Sequence, residues 1–157
     1  AEEALISPAK FPPGSTHSTF SSNPLGTAVA LATLNWIEQQ QYETTVADSG
    51  EYFLKQLQAL KARHATIGDV SGLGLALRIE VTKPDRFTPD KALADRIFEA
   101  GLAGGIPSSR GPMGLVLDIG GHYKNVFTLA PALDITRAEI DLSIELLDRL
   151  FTTCEAG

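Results

Sequence analysis

The segment Leu75-Ala-Leu-Arg-Ile-Glu-Val81 alternates strictly between apolar and polar side chains. Successive side chains of a strand point to opposite faces, so this alternation predicts a half-buried strand with one face on a core. The preceding segment, Gly68-Asp-Val-Ser-Gly-Leu-Gly74, is rich in glycine and is predicted to be a turn. A strand of this kind needs neighbouring strands and a layer that covers its apolar face.

Helix start signals divide the rest of the chain. Asn23-Pro24 predicts a helix that runs to about Gln41, because Asn can cap free amides and Pro is tolerated at the first helical position. Thr136 and Glu139 predict a capping box at the start of the last helix. The other two predicted helices run from about Thr45 to Arg63, and from Thr88-Pro89-Asp90, with Thr88 as the cap, to about Glu99.

Two further strands are predicted at Gly114–Ile119 and Val126–Leu129, with a turn at Gly120-Gly121 between them. The resulting order is helix, helix, strand, helix, strand, strand, helix, which is typical of α+β domains. We therefore expect a small antiparallel sheet of about three to four strands, with helices on one face.

Charge and composition argue against several classes of protein. The net charge is −6 with only 13 Lys and Arg, which disfavours a nucleic-acid partner. No apolar stretch approaches the roughly 18 residues that cross a bilayer, and the acidic start Ala1-Glu-Glu-Ala4 is unlike a secretory signal. We therefore expect no membrane partner and a cytoplasmic location. The single Cys154 excludes an internal disulfide, and we expect it to be inert and near a frayed end.

The segment Pro13-Gly-Ser-Thr-His-Ser-Thr-Phe-Ser-Ser-Asn-Pro-Leu-Gly26 resembles a stretch of the class-III aminotransferases, which depend on pyridoxal 5'-phosphate (PLP). In that family a threonine before an aromatic residue hydrogen-bonds the phosphate of the PLP held by the other subunit. The resemblance assigns this role to Thr19, with Ser18 beside it. A hydroxyl, together with backbone amides at a helix start, suits a phosphate. The alternative from the residues alone is a loop that only caps the helix at Asn23.

The resemblance covers nearly the whole chain. Gly68–Glu80 is similar to the family stretch G-x-V-R-G-x-G-L-x-x-x-I-E. Leu129–Thr136, followed by Glu139-Ile-Asp141, is similar to the stretch R-x-x-P-P-L-x-I-T-x-x-E-I-D at the end of the family's sequence. Ser71 replaces the usual arginine in the first stretch. Thr128 stands where many members have an arginine that grips a substrate carboxylate, and a hydroxyl cannot form that bidentate pair. Thr128 and Arg110 are therefore the substrate-binding candidates, Arg110 as the nearest alternative cation in sequence.

No catalytic residue is assigned within this chain. The family's Schiff-base lysine precedes the Thr-aromatic motif on the large domain, but only Lys10 precedes Thr19 here, without a Ser-Lys context. The carboxylate that pairs with the pyridine nitrogen of PLP is likewise not assignable. The resemblance thus implies an interface loop over residues 1–22, a long linking helix over 23–44 and a C-terminal small domain over 45–157. By itself this chain is expected to be inactive.

The intact protein implied by this resemblance is a homodimer that binds PLP and moves an amino group from an amino acid to a 2-oxo acid. Terminal amines such as diaminobutyrate, ornithine or 4-aminobutyrate are the suggested donors. His17, two residues before Thr19, could border the cofactor, whereas His and Cys spacing supports no metal site. The alternative is a free-standing α+β module that binds a ligand or partner without catalysis.

Overall fold

The computed structural model describes residues 19–20 and 23–156, and the chain falls into two compact units that divide between Gln41 and Tyr42. The first unit contains α1 (Pro24–Gln39). Asn23 caps this helix as predicted, since its Oδ1 accepts hydrogen bonds from the backbone N of Leu25 at 2.9 Å and of Gly26 at 3.2 Å. The division of the sequence at 22/23 and 44/45 stays a prediction.

The second unit is an α+β fold, as expected. Its four strands form one antiparallel sheet in the order β1-β2-β4-β3. In chain order its elements are α2 (Tyr42–Arg63), β1 (Ile67–Leu73), β2 (Ala76–Val81), α3 (Lys91–Ala103), β3 (Asp118–Gly120), β4 (Val126–Leu129) and α4 (Arg137–Glu155). The capping box of Thr136 and Glu139 opens α4, as predicted.

The core lies between one face of this sheet and the helices. Leu77, Ile79 and Val81 of β2 are buried, in keeping with the predicted alternation. The helical side of the core includes Leu57 of α2 and Phe151 of α4, each fully buried. Burial of a large apolar side chain stabilises the folded state by about 1.5–3 kcal/mol, so this layer holds the helices against the apolar face of the sheet.

The glycine-rich segment before β2 is a strand, and the prediction of a turn there was wrong. β1 pairs with β2 from Ile67↔Val81 to Leu73↔Ala76. Glycine serves close packing in this strand: a Cβ on Gly68 would come within 2.5 Å of Thr82 Cγ2. The glycines therefore indicate close approach here, with the turn confined to Gly74 and Leu75.

The strand predicted at Gly114–Ile119 is shorter than expected. Only Asp118–Gly120 pairs with β4. The preceding residues are bound elsewhere, because Leu115 N donates to Gly101 O at the end of α3 and Met113 pairs with Ile106. The backbone groups of Met113 and Leu115 thus hydrogen-bond residues in and after α3. This part of the chain therefore does not pair with β4.

The cap of α3 is Asp90 and not Thr88. Asp90 Oδ1 accepts a hydrogen bond from Leu93 N at 2.9 Å. Thr88 is already engaged, because its N and Oγ1 both donate to the Asp85 carboxylate. The expectation of a frayed end around Cys154 was also wrong, since this thiol is buried in the last turns of α4.

Candidate functional site

One row of polar side chains crosses all four strands on the face of the sheet opposite the helices. Ser71 of β1 pairs with Arg78 of β2, Arg78 pairs with Thr128 of β4, and Thr128 pairs with Asp118 of β3. Directly opposed residues on antiparallel strands have Cβ atoms about 4.5–5.5 Å apart. The four side chains therefore form a continuous line, which we call the polar row.

Arg78 is the cationic member of the polar row, and the sequence reasoning missed it. Its Nε donates a hydrogen bond to Ser71 Oγ at 2.6 Å, and 59% of its side chain is exposed. The Asp69 carboxylate lies 3.7 Å from its Nη2, which is beyond hydrogen-bond distance. The alternation of β2 could have placed Arg78 on the open face, but only the strand register reveals that it stands next to Thr128.

A cavity of about 380 Å³ opens beside Thr128, where the chain before β3 diverges from the end of β4. Its polar lining comes from Thr128, Asp118 and Ser143, and Phe53 and Leu147 contribute apolar walls. Thr128 thus belongs to both the polar row and the cavity. An apolar pocket with a few convergent polar groups has the general character of a small-molecule site.

Arg110 lies in a loop that is fastened to α4. Ser109 donates from its N and its Oγ to the two carboxylate oxygens of Glu145, at 2.9 and 2.7 Å. The charge of Arg110 acts on Glu139 at the start of α4: hydrogen bonds from Thr136 lower the pKa of Glu139, and Arg110 adds to that effect. Neither Arg110 nor Arg78 is among the residues that line the cavity beside Thr128.

Thr19 and Phe20 lie in a turn and are exposed, and Phe20 O accepts a hydrogen bond from Asn23 N. The exposed Thr19 hydroxyl is available to an incoming phosphate. The amides at the start of α1 are less available than the sequence suggested, because the Asn23 side chain already accepts from Leu25 N and Gly26 N. Ser18, His17 and Lys10 lie outside the described residues.

His64 is the buried histidine of the second unit. Both of its ring nitrogens have carboxylate partners, which is consistent with a structural role. Its Nδ1 lies 2.9 Å from Glu155 Oε2 and its Nε2 lies 2.8 Å from Asp148 Oδ1. Thr66 also hydrogen-bonds Glu155. Over residues 19–20 and 23–156, no group of three or more His, Cys, Asp or Glu side chains could hold a metal ion. No helix in that part of the chain is long and apolar enough to cross a membrane.

Comparison with known proteins identifies the family. Residues 6–151 match the family model described as aminotransferase class-III. The chain is 33% identical over 131 residues to alanine–glyoxylate aminotransferase 2 homolog 2 of Arabidopsis thaliana, and 35% identical over 138 residues to taurine–pyruvate aminotransferase of Bilophila wadsworthia. These alignments cover 83% and 88% of the chain but only 26% and 30% of the relatives' lengths.

A solved structure gives the same answer for the fold. The amine transaminase of an uncultivated Pseudomonas species, determined in its PLP-bound form, superimposes with a TM-score of 0.72 at 30% sequence identity. The similarity covers 88% of this chain and 30% of that one. The chain belongs to the class-III aminotransferase family.

Proposed function

We propose that this chain serves as the C-terminal part of a PLP-dependent aminotransferase that moves an amino group from an amino acid to a 2-oxo acid. The match of residues 6–151 to the class-III family model is the observation that carries this proposal. Because the chain spans 26–30% of its relatives' length, the activity is proposed for the full-length protein. We place that protein in the cytoplasm as a homodimer.

Within this proposal, Thr19 and Ser18 hold the phosphate of the PLP bound by the partner subunit. The Thr19 hydroxyl is exposed and can donate a charge-assisted hydrogen bond to a phosphate oxygen. When bound, PLP supplies an electron sink for the carbon that carries the amino group. The chain's own contribution is to bind and orient the cofactor, and no residue of this chain is assigned to proton transfer.

The proposed substrate-binding region within the second unit is the cavity beside Thr128. Its apolar walls suit the carbon chain of an amino acid, and the Thr128 hydroxyl can donate one hydrogen bond to a polar end group. Amino acids with a terminal amine, such as diaminobutyrate, ornithine or 4-aminobutyrate, are the proposed donor class. Arg110 is the weaker candidate for the carboxylate, because its positive charge already acts on Glu139 at the start of α4.

The cofactor role of Thr19 is tested by PLP affinity in the full-length protein. Loss of one hydrogen bond to a charged group costs about 1.5–3 kcal/mol, so Thr19→Ala should raise the PLP dissociation constant about 10- to 100-fold. Thr19→Ser should restore most of the affinity. Thr27→Ala is the matched control, because the Thr27 hydroxyl donates to Asn23 O within its own helix. Equal PLP affinity in wild type and Thr19→Ala would refute this role.

A further inference from the structure

We propose that Arg78 is a specificity-determining residue that binds the carboxylate of the substrate over the open face of the sheet. This inference rests on the proposed function, because it names the group that recognises one end of the amino acid. It assigns carboxylate binding to a residue of β2. Thr128 has only a hydroxyl for this role, and Arg110 does not line the cavity beside Thr128.

Arg78 stands between the two positions of the polar row that carry hydroxyls. Ser71 faces it from β1 and Thr128 faces it from β4. A carboxylate placed over Thr128 would lie about one strand spacing, roughly 4.8 Å, from the Arg78 backbone. The Arg78 guanidinium lies toward β1, at Ser71 Oγ and beside Asp69, so the carboxylate would be drawn over β2 and the Thr128 hydroxyl would face it from the β4 side. The register therefore brings a cation and two hydroxyl donors to one patch of the sheet.

The guanidinium is held in a way that leaves its binding edge open. Ser71 Oγ accepts from Nε, which fixes the plane of the group without using its terminal nitrogens. The two terminal nitrogens of a guanidinium match the two oxygens of a carboxylate. The pair with Asp69, at 3.7 Å between exposed side chains, is weak enough for an incoming carboxylate to displace.

Acidic groups limit where such an anion can bind. Asp69 lies beside Arg78, Glu80 follows it on the same face of β2, and Asp118 occupies the far end of the polar row. Asp118 is two strands from Arg78, roughly 10 Å away at the backbone. Arg78 is therefore the one cationic residue of the polar row that can bind an anionic ligand. The hydroxyl of Thr128 can donate a further hydrogen bond to that ligand.

The direct test uses the full-length protein and butanoate as the probe, measured by titration calorimetry against butanamide. Butanoate should bind wild type, and Arg78→Gln should weaken that binding about 10- to 100-fold, as expected for a charge-assisted bidentate contact. Butanamide binding should not change. Arg78→Lys should bind butanoate more tightly than Arg78→Gln but more weakly than wild type. Lysine keeps the positive charge but lacks the two parallel N–H donors of a guanidinium. Arg149→Gln, an exposed arginine on α4, is the matched control and should bind butanoate like wild type.

A kinetic comparison extends the test to the reaction. Arg78→Gln should raise KM about tenfold or more for 4-aminobutyrate and leave KM for butylamine unchanged, since only the first donor has a carboxylate. Butanoate binding that is absent in wild type, or equal in wild type and Arg78→Gln, would overturn the role of Arg78. A wild-type protein that transfers no amino group but binds butanoate through Arg78 would refute the proposed function and leave the anion site standing.

Discussion

Gly50 of α2 lies directly against Gly74 of the turn between β1 and β2. A Cβ on Gly50 would come within 2.3 Å of the Gly74 carbonyl oxygen, and Gly74 itself has a φ of +55°. The contact joins the first half of α2 to the end of the hairpin that carries Arg78. It sets how closely the helical layer can approach the sheet.

Gly50→Ala should therefore destabilise the second unit, even though alanine favours helices. The added methyl group meets backbone that cannot rotate away, and overpacking of this kind costs about 1–3 kcal/mol. Urea unfolding followed by circular dichroism measures the loss. Gly26→Ala on α1 is the control, because a Cβ there meets nothing within 4 Å among the described residues. Equal stability of Gly50→Ala and wild type would show that the hairpin can move aside.

Asp148 should contribute to stability in a pH-dependent way. Burial raises its pKa, but hydrogen bonds from His64 and Arg63 outweigh burial, so the net pKa lies below the ordinary 3.8. A depressed pKa in the folded state means that the stabilisation is fully present above pH 3.8 and is lost as the pH falls through the folded value. With this side chain partly exposed, Asp148→Asn should cost about 1–2 kcal/mol at pH 7.

The same comparison at pH 3 provides the check, because the difference between Asp148→Asn and wild type should shrink there. Asp134→Asn, at an exposed carboxylate, is the control variant and is measured at both pH values. A difference for Asp148→Asn that is equal at both pH values would mean that packing, and not charge, accounts for the effect.

Cys154 should react slowly in the folded protein. Burial raises the pKa of this thiol, which lowers the fraction of reactive thiolate. Ellman's reagent at pH 8 should modify the native chain at least about tenfold more slowly than the chain in urea. Because Cys154 is the single cysteine, the signal is unambiguous. Equal rates in the two conditions would place the thiol outside the core.

Local signals in the sequence predicted the helices well and the sheet less well. Asn23 and the Thr136–Glu139 box cap their helices through groups within three residues of sequence, so the signal lies in the local sequence. Thr88 failed as a cap because Asp85, three residues earlier, takes its hydroxyl. Capping is predictable when the competing acceptors are few.

Only part of the candidate site could be predicted from the sequence. Thr19 and Thr128 could be named because they fall in linear motifs. Arg78 became a candidate only through the strand register that pairs it with Ser71 and Thr128. The sequence did not reveal β1, because its glycines predicted a turn. Cross-strand neighbours depend on pairings between distant segments, which local sequence patterns do not reveal.

The isolated 157-residue chain should transfer no amino group when supplied with PLP, an amino donor and pyruvate. PLP chemistry of this kind requires a lysine that binds the cofactor, and the sequence offers only Lys10 before Thr19, outside the family's context. Detection of alanine above a no-enzyme blank would contradict this expectation. The isolated chain also serves as the negative control for the last experiment.

The central claim, membership of a working aminotransferase, is tested most directly by amino transfer with the full-length protein. The protein is purified with PLP and incubated with pyruvate and a panel of amino acids that includes diaminobutyrate, ornithine and 4-aminobutyrate. We predict that at least one donor yields alanine at a rate that requires PLP and is lost on its removal. A full-length protein that binds no PLP and forms no alanine with any donor would contradict the account.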